Sequence, residues 1–179
     1  MHEFVTAKIP SVAESPECVR WYAAYTSARH EKRVANQLEN RRVEYFLPLY
    51  ETIHRWKDRR ARVRLPLFPG YVFVHIPLQE RVQVLEVPSV VRLVGFNGRP
   101  TPLPDHDIEA LRSGLARRQA QPHPYLAVGR RVRIKSGPFE GMEGILKRIK
   151  DSFRLVISLD LIMRSIILDI DGADVEAIG

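Results

Sequence analysis

The chain is 179 residues long with 28 Lys+Arg against 21 Asp+Glu, a net charge of +7 and a pI near 9.8, and 45% of its residues are apolar. That balance belongs to a folded globular protein rather than a disordered one, and the basic excess favours a polyanion or an acidic protein surface as partner. A single cysteine, Cys18, excludes a disulfide framework and a cysteine-cluster zinc site, and no apolar run approaches bilayer-spanning length. The first twenty residues lack the basic start and continuous apolar stretch of a secretory signal, so a cytoplasmic protein without membrane contact is expected.

Charge and punctuation divide the chain into four segments. Residues 1–19 are polar, carry two prolines and read as a loose arm; residues 20–117 hold 17 basic and 10 acidic side chains, which alone equals the whole excess. Residues 118–126 have two prolines and no apolar period, which suits a linker, and residues 127–179 are close to neutral. An N-terminal α/β sandwich followed by a small C-terminal β-barrel, α+β overall, is the simplest architecture.

In chain order, Arg20–Ser27 is aromatic-rich and reads as a strand. His30–Arg41 is a narrow-faced amphipathic helix on Val34 and Leu38, with Ser27 as the expected cap. Val43–Trp56 returns to strand patterning, bent or placed at an edge by Pro48. Tyr71–Ile76 is a strong strand after a Pro69-Gly70 turn, Arg81–Leu85 a short helix, and Val90–Phe96 a further strand closed by Asn97-Gly98. Pro104-Asp105 opens a last helix on Ile108, Leu111 and Leu115. From Val128 on, short β-rich runs separated by turns predict five strands in about fifty residues, a compact barrel without free edges.

Three segments carry functional signals. Strand alternation puts Val72, Val74 and Ile76 on one face and Tyr71, Phe73 and His75 on the other. That second face is either an aromatic patch offered to a partner or a second buried face. The run His54–Arg64 contains Arg55, Lys57, Arg59, Arg60, Arg62 and Arg64 with Trp56 and only one acid. It forms either a solvated hairpin or a surface that meets phosphates while Trp56 stacks on a base. In Val128–Ile145, three glycines within eight residues permit tight turns, while Phe139 and Met142 are apolar residues in a turn-rich loop. They serve either to plug the barrel end or as a contact surface, and plugging suits Phe139 better.

Catalysis finds little support. His106 lies between two aspartates at a helix start, where acids serve the helix dipole; the six histidines have no metal-ligand spacing, and no nucleophile elbow is present. Neither a cofactor nor a metal is expected, and the chain is not expected to be an enzyme.

The succession WYAAYTSARHEKRVANQL, LPLFPGYVFVHI and VPSVVRLVGFNGRPTPLP resembles the N-terminal (NGN) domain of NusG-type transcription elongation and antitermination factors. Val128–Ile145 resembles the KOW motif that opens their C-terminal barrel, so the likeness spans roughly residues 20–178. The ending LDLIMRSIILDIDGADVE and the short linker look more like the specialised paralogues of the UpxY, LoaP and RfaH types.

The resemblance implies a monomeric factor that binds the clamp helices of the largest catalytic subunit of RNA polymerase and suppresses pausing. Its polymerase-binding positions fall on Phe68, Pro69, Tyr71 and Phe73, with an approach to the opposite pincer around residues 79–83. The basic hairpin would lie near upstream or non-template DNA. The barrel would recruit a partner through Leu161, Ile162, Met163 and Arg164. That partner would be a small ribosomal-subunit protein rather than Rho, because Ile162 stands where housekeeping members place a phenylalanine. The RfaH type masks its clamp site with a helical C-terminal domain; here Ile166, Ile167, Ile170 and the glycines favour strands, and an open, unmasked factor is expected. The alternative is a KOW-containing RNA- or ribosome-binding protein without polymerase contact.

Overall fold

The computed structural model describes residues 18–55, 60–117, 120–123, 130–149, 152–170 and 174–178. The expected arm, apart from its last two residues, and Trp56, Lys57 and Arg59 lie outside the described residues.

Strands β1 (Val19–Thr26), β2 (Glu44–Phe46), β5 (Tyr71–Pro77) and β6 (Val90–Leu93) form an antiparallel sheet in the order β2-β5-β1-β6. Two further pairs project from it: β3 (Leu49–Arg55) with β4 (Arg60–Pro66), and β7 (Gly95–Phe96) with β8 (Arg99–Pro100). The predicted strand 43–56 is therefore two strands, and the break falls at Leu47-Pro48, as a proline without a ladder N–H requires.

Helix α1 (Glu31–Asn40) and the short α2 (Arg81–Leu85) cover one sheet face, where Val34, Leu38 and Val84 pack with Tyr22, Ala24, Val72, Val74 and Ile76. Each such buried aliphatic contributes about 1.5–3 kcal/mol. Ser27 does not cap α1: the position before the helix is His30, with no side-chain cap. Ser27 instead uses its backbone, donating its N–H to Ser89 O and accepting from His30 N.

Helix α3 (Asp105–Leu115) starts after Pro104 as expected and lies on the opposite sheet face. Ile108 and Leu111 are buried there in one cluster with Trp21, Ala23, Phe68 and Phe73.

The C-terminal part is a six-stranded antiparallel sheet ordered β14-β10-β11-β12-β13-β9. Its strands are β9 (Gln121–His123), β10 (Arg130–Ile134), β11 (Glu143–Ile149), β12 (Ser152–Leu159), β13 (Arg164–Ile170) and β14 (Val175–Ala177). The five strands expected after Val128 are present. The sixth, β9, lies within the expected linker 118–126 and pairs with β13 through residues 121–123. An edge position tolerates Pro122, which has no N–H to offer a second neighbour.

The two parts share a core. Val132, Ile134, Phe139, Met142, Ile157, Leu159, Ile162 and Ile166 belong to the same apolar cluster as Trp21, Phe68, Phe73, Ile108 and Leu111. A chain that keeps its C-terminal strands is therefore not open: an all-β domain docks on the aromatic sheet face, and the expectation of an unmasked factor fails. Strand propensity settled the conformation of the C-terminal part, but docking is decided by apolar residues of its turns and loops, Phe139 and Ile162 among them, which propensity does not address.

Candidate functional site

The aromatic sheet face is built by register. In β1 and β5, Trp21 lies opposite His75, Ala23 opposite Phe73 and Tyr25 opposite Tyr71, so alternation brings five rings to one side. Phe46 on β2 joins opposite Phe73. The rings touch as pairs: Trp21 stacks on His75 at 4.6 Å, Phe46 lies 6.2 Å from Phe73, Phe68 meets Phe73 edge-on at 5.7 Å, and Tyr25 lies 5.5 Å from Tyr71. Helix α3 adds Arg112, whose guanidinium sits 5.4 Å over Trp21 and 5.6 Å over Phe46 while bonding to Glu44. Glu44 also bonds to His75 at 2.8 Å. That His75 hydrogen bond, followed by those from Arg112, holds the Glu44 carboxyl below its usual range.

Of the four expected polymerase-binding positions, Phe68 and Phe73 are core residues at 1% and 0% exposure. Both faces of β5 are covered, one by α1 and α2 and the other by α3 and the C-terminal sheet. Tyr71 is half-buried and Pro69 is exposed, so the accessible part of the patch is the turn itself. Its shape depends on Gly70, at φ +86°, whose N–H donates to the buried Glu31 carboxylate at 2.7 Å. Glu31, Trp21, Tyr25 and Arg112 were not among the predicted site residues. The alternation of WYAAYT gives the two aromatics; Glu31 and Arg112 come from distant elements and leave no local signal.

The loop 161–164 lies against this face. The Arg164 guanidinium sits 5.5 Å over the Tyr71 ring. Ile162 is buried, Leu161 is half-buried on the shared cluster, and Met163 is exposed at a φ of +49°. Phe139, expected as a barrel plug, is a contact residue: its ring abuts Gly114 of α3. A cleft of about 930 Å³ opens beside this contact, between Pro104, His106 and Asp107 on one side and Arg131, Arg133 and Glu143 on the other. Burial, together with the Glu143 charge, raises the Asp107 carboxyl above its usual range, partly offset by His106.

The basic hairpin presents a charged face. Arg60, Arg62 and Arg64 alternate with half-buried Ala61 and Val63 and lie opposite Arg55, Ile53 and Glu51. Arg64 pairs with Glu51 at 3.0 Å. Arg55, Arg60 and Arg62 have no ion pair among the described residues, and Arg55 directly faces Arg60. Like charges opposite one another on a two-stranded ribbon are destabilising, so this arrangement favours an anion between them.

No group of three or more metal-ligating side chains occurs among the described residues, and no helix there is long and apolar enough to cross a membrane.

The family profile described as "Transcription termination factor nusG" matches residues 19–112. The transcription termination/antitermination protein NusG of Escherichia coli K12 is 28% identical over 92% of this chain and 99% of its own length. That of Vibrio vulnificus is 29% identical over 92% and 98%. Among solved structures, one described as "Domain interaction in Thermotoga maritima NusG" superposes with a TM-score of 0.55 at 25% identity, covering 92% of this chain and all of that one.

Proposed function

The chain belongs to the NusG family of transcription termination/antitermination proteins, and on that premise we propose that it is an elongation and antitermination factor that binds RNA polymerase through the Tyr71 face. The observation that carries this reading is the aromatic face of β1 and β5, which lies inside the span matched by the family. The proposed contact is with the clamp helices of the largest catalytic subunit, anchored by Tyr71 and the Pro69-Gly70 turn, with Phe68 and Phe73 supporting the turn from below. Holding the clamp in its elongating state is a matter of differential affinity for one polymerase conformation and requires no chemistry from this chain. The hairpin arginines would approach upstream or non-template DNA. Residues 20–117 and 127–179 act as separate functional units in this reading, the second recruiting a partner, such as a small ribosomal-subunit protein, through residues 161–164. Both faces are engaged with each other in the closed arrangement, so the factor must open to work.

The test is binding of the full chain to core RNA polymerase, wild type beside Tyr71→Ala. An interfacial aromatic anchor is worth about 2 kcal/mol or more, so the variant should bind about thirty-fold more weakly. Tyr71→Ala also removes the Arg164 contact and favours opening, so a loss of affinity cannot come from tighter closure. Equal affinity of variant and wild type would overturn the assignment. Steeply salt-dependent binding to naked RNA, with none to polymerase, would replace it by the RNA-binding alternative.

A further inference from the structure

Phe96 is 66% exposed, the most exposed large apolar side chain among the described residues. It sits at the end of the β7–β8 hairpin, whose backbone leaves little choice of position. Asn97 and Gly98 both have positive φ, +50° and +75°, as a two-residue hairpin turn requires. A Cβ on Gly95 would overlap the Arg99 carbonyl oxygen, so only glycine lets the two strands approach this closely. Three residues with few alternatives thus hold one aromatic ring at the surface, where it adds little to stability by burial.

That ring stands at the mouth of the cleft of about 930 Å³. The floor is apolar, with Leu103 from the N-terminal part and Met142, Ile145 and Leu159 from the C-terminal sheet. Charge enters from β10. Arg133 bonds to Glu143 at 2.6 Å and has Glu176 as a second nearby acid. Arg131 reaches the same Glu143 carboxylate only at 3.3 Å and keeps 66% of its side chain exposed. One carboxylate does not neutralise two guanidiniums, and Arg131 holds the weaker share of it. On the opposite wall the Asp107 carboxylate already faces His106 at 3.1 Å.

We propose that this cleft binds a small aromatic anion, its ring against Phe96 and its carboxylate, sulfonate or phosphate on Arg131. A phenylalanine ring stacks on a flat apolar body, and a planar guanidinium offers such oxyanions paired donors. The walls come from both parts of the chain, so an occupant stabilises their contact by mass action. The assignment stands whether or not the Tyr71 face binds polymerase.

The experiment is calorimetric titration of the full chain with naphthalenesulfonate, beside the uncharged naphthol. Wild type should bind the sulfonate saturably and prefer it over naphthol by about tenfold or more, the worth of a hydrogen bond to a charged group. Arg131→Gln should erase that preference while leaving naphthol binding unchanged. Phe96→Ala should weaken both ligands by about fivefold, and Phe96→Trp, which keeps a ring, should restore them. Both side chains are exposed, so these variants should melt as wild type does. No saturable binding by wild type, or wild-type affinity in both Arg131→Gln and Phe96→Ala, overturns the site. Equal affinity of wild type for sulfonate and naphthol overturns its anionic character.

Discussion

At the first turn of α1, Glu31 is buried with its carboxylate on the Gly70 N–H, so a helix start and a strand turn 39 residues away are held by one 2.7 Å bond. Removing the acceptor leaves a buried N–H unpaired, a loss of about 1–3 kcal/mol. Glu31→Ala should lower the urea midpoint accordingly, while Glu31→Gln, which keeps an acceptor oxygen, should lose less; equal losses would show that the bond is not what holds the turn. Phe73 belongs to the same scale. Fully buried, it makes Phe73→Ala a core deletion costing about 3–5 kcal/mol, which is why the proposed binding is tested at Tyr71 alone. Glu44 adds a pH dependence. Its carboxyl is held low, first by the His75 hydrogen bond and then by Arg112, so it stabilises the fold above the unfolded carboxylate pKa. That contribution is lost as pH falls through the lowered folded value. Glu44→Gln should flatten this acid limb in a pH series of melting curves.

At the scale of the element, the β3–β4 hairpin concentrates charge on one face because strand period and basic spacing coincide. If Arg60 and Arg62 each meet a phosphate, the double alanine variant should reduce the slope of log K against log salt for duplex DNA by about 1.5–2. An unchanged slope would make the hairpin a solvated ribbon. The pattern was legible in RARVR, as was the strand in YVFVHI. The missing Ser27 cap was not, because the competing backbone partner, Ser89, lies 62 residues away.

Across the whole molecule, closure brings Asp107 of α3 and Glu143 of β11 to the same cleft, with His106 beside Asp107, and Arg131 and Arg133 bonded to Glu143. Burial raises the Asp107 carboxyl, and the Glu143 charge that closure brings beside it raises it further, so the protonated form of Asp107 favours docking. The contribution is complete below the undocked pKa and is lost as pH rises through the docked one. Asp107→Asn should therefore remove this pH dependence and favour the closed form at neutral pH, read as the distance between spin labels on the exposed Cys18 and on Glu176→Cys of β14. A more open variant would mean that the His106 pairing outweighs the burial.

By itself the sequence determined the helices and most of the strands, though not the break at Leu47-Pro48 or strand β9 inside the expected linker, and it gave the alternation that collects Tyr71, Phe73 and His75, the arginine face of the hairpin and the β character of the C-terminal part. All of these are written in local periods and turn residues. Tertiary structure alone decided that Phe68 and Phe73 are core, that Phe139 packs against α3 rather than plugging the barrel end, and that the two parts share one core. Those outcomes depend on what covers a given face. The covering residues, Gly114, Ile162 and Arg164, lie tens of residues from the surfaces they meet, at spacings that no local pattern records.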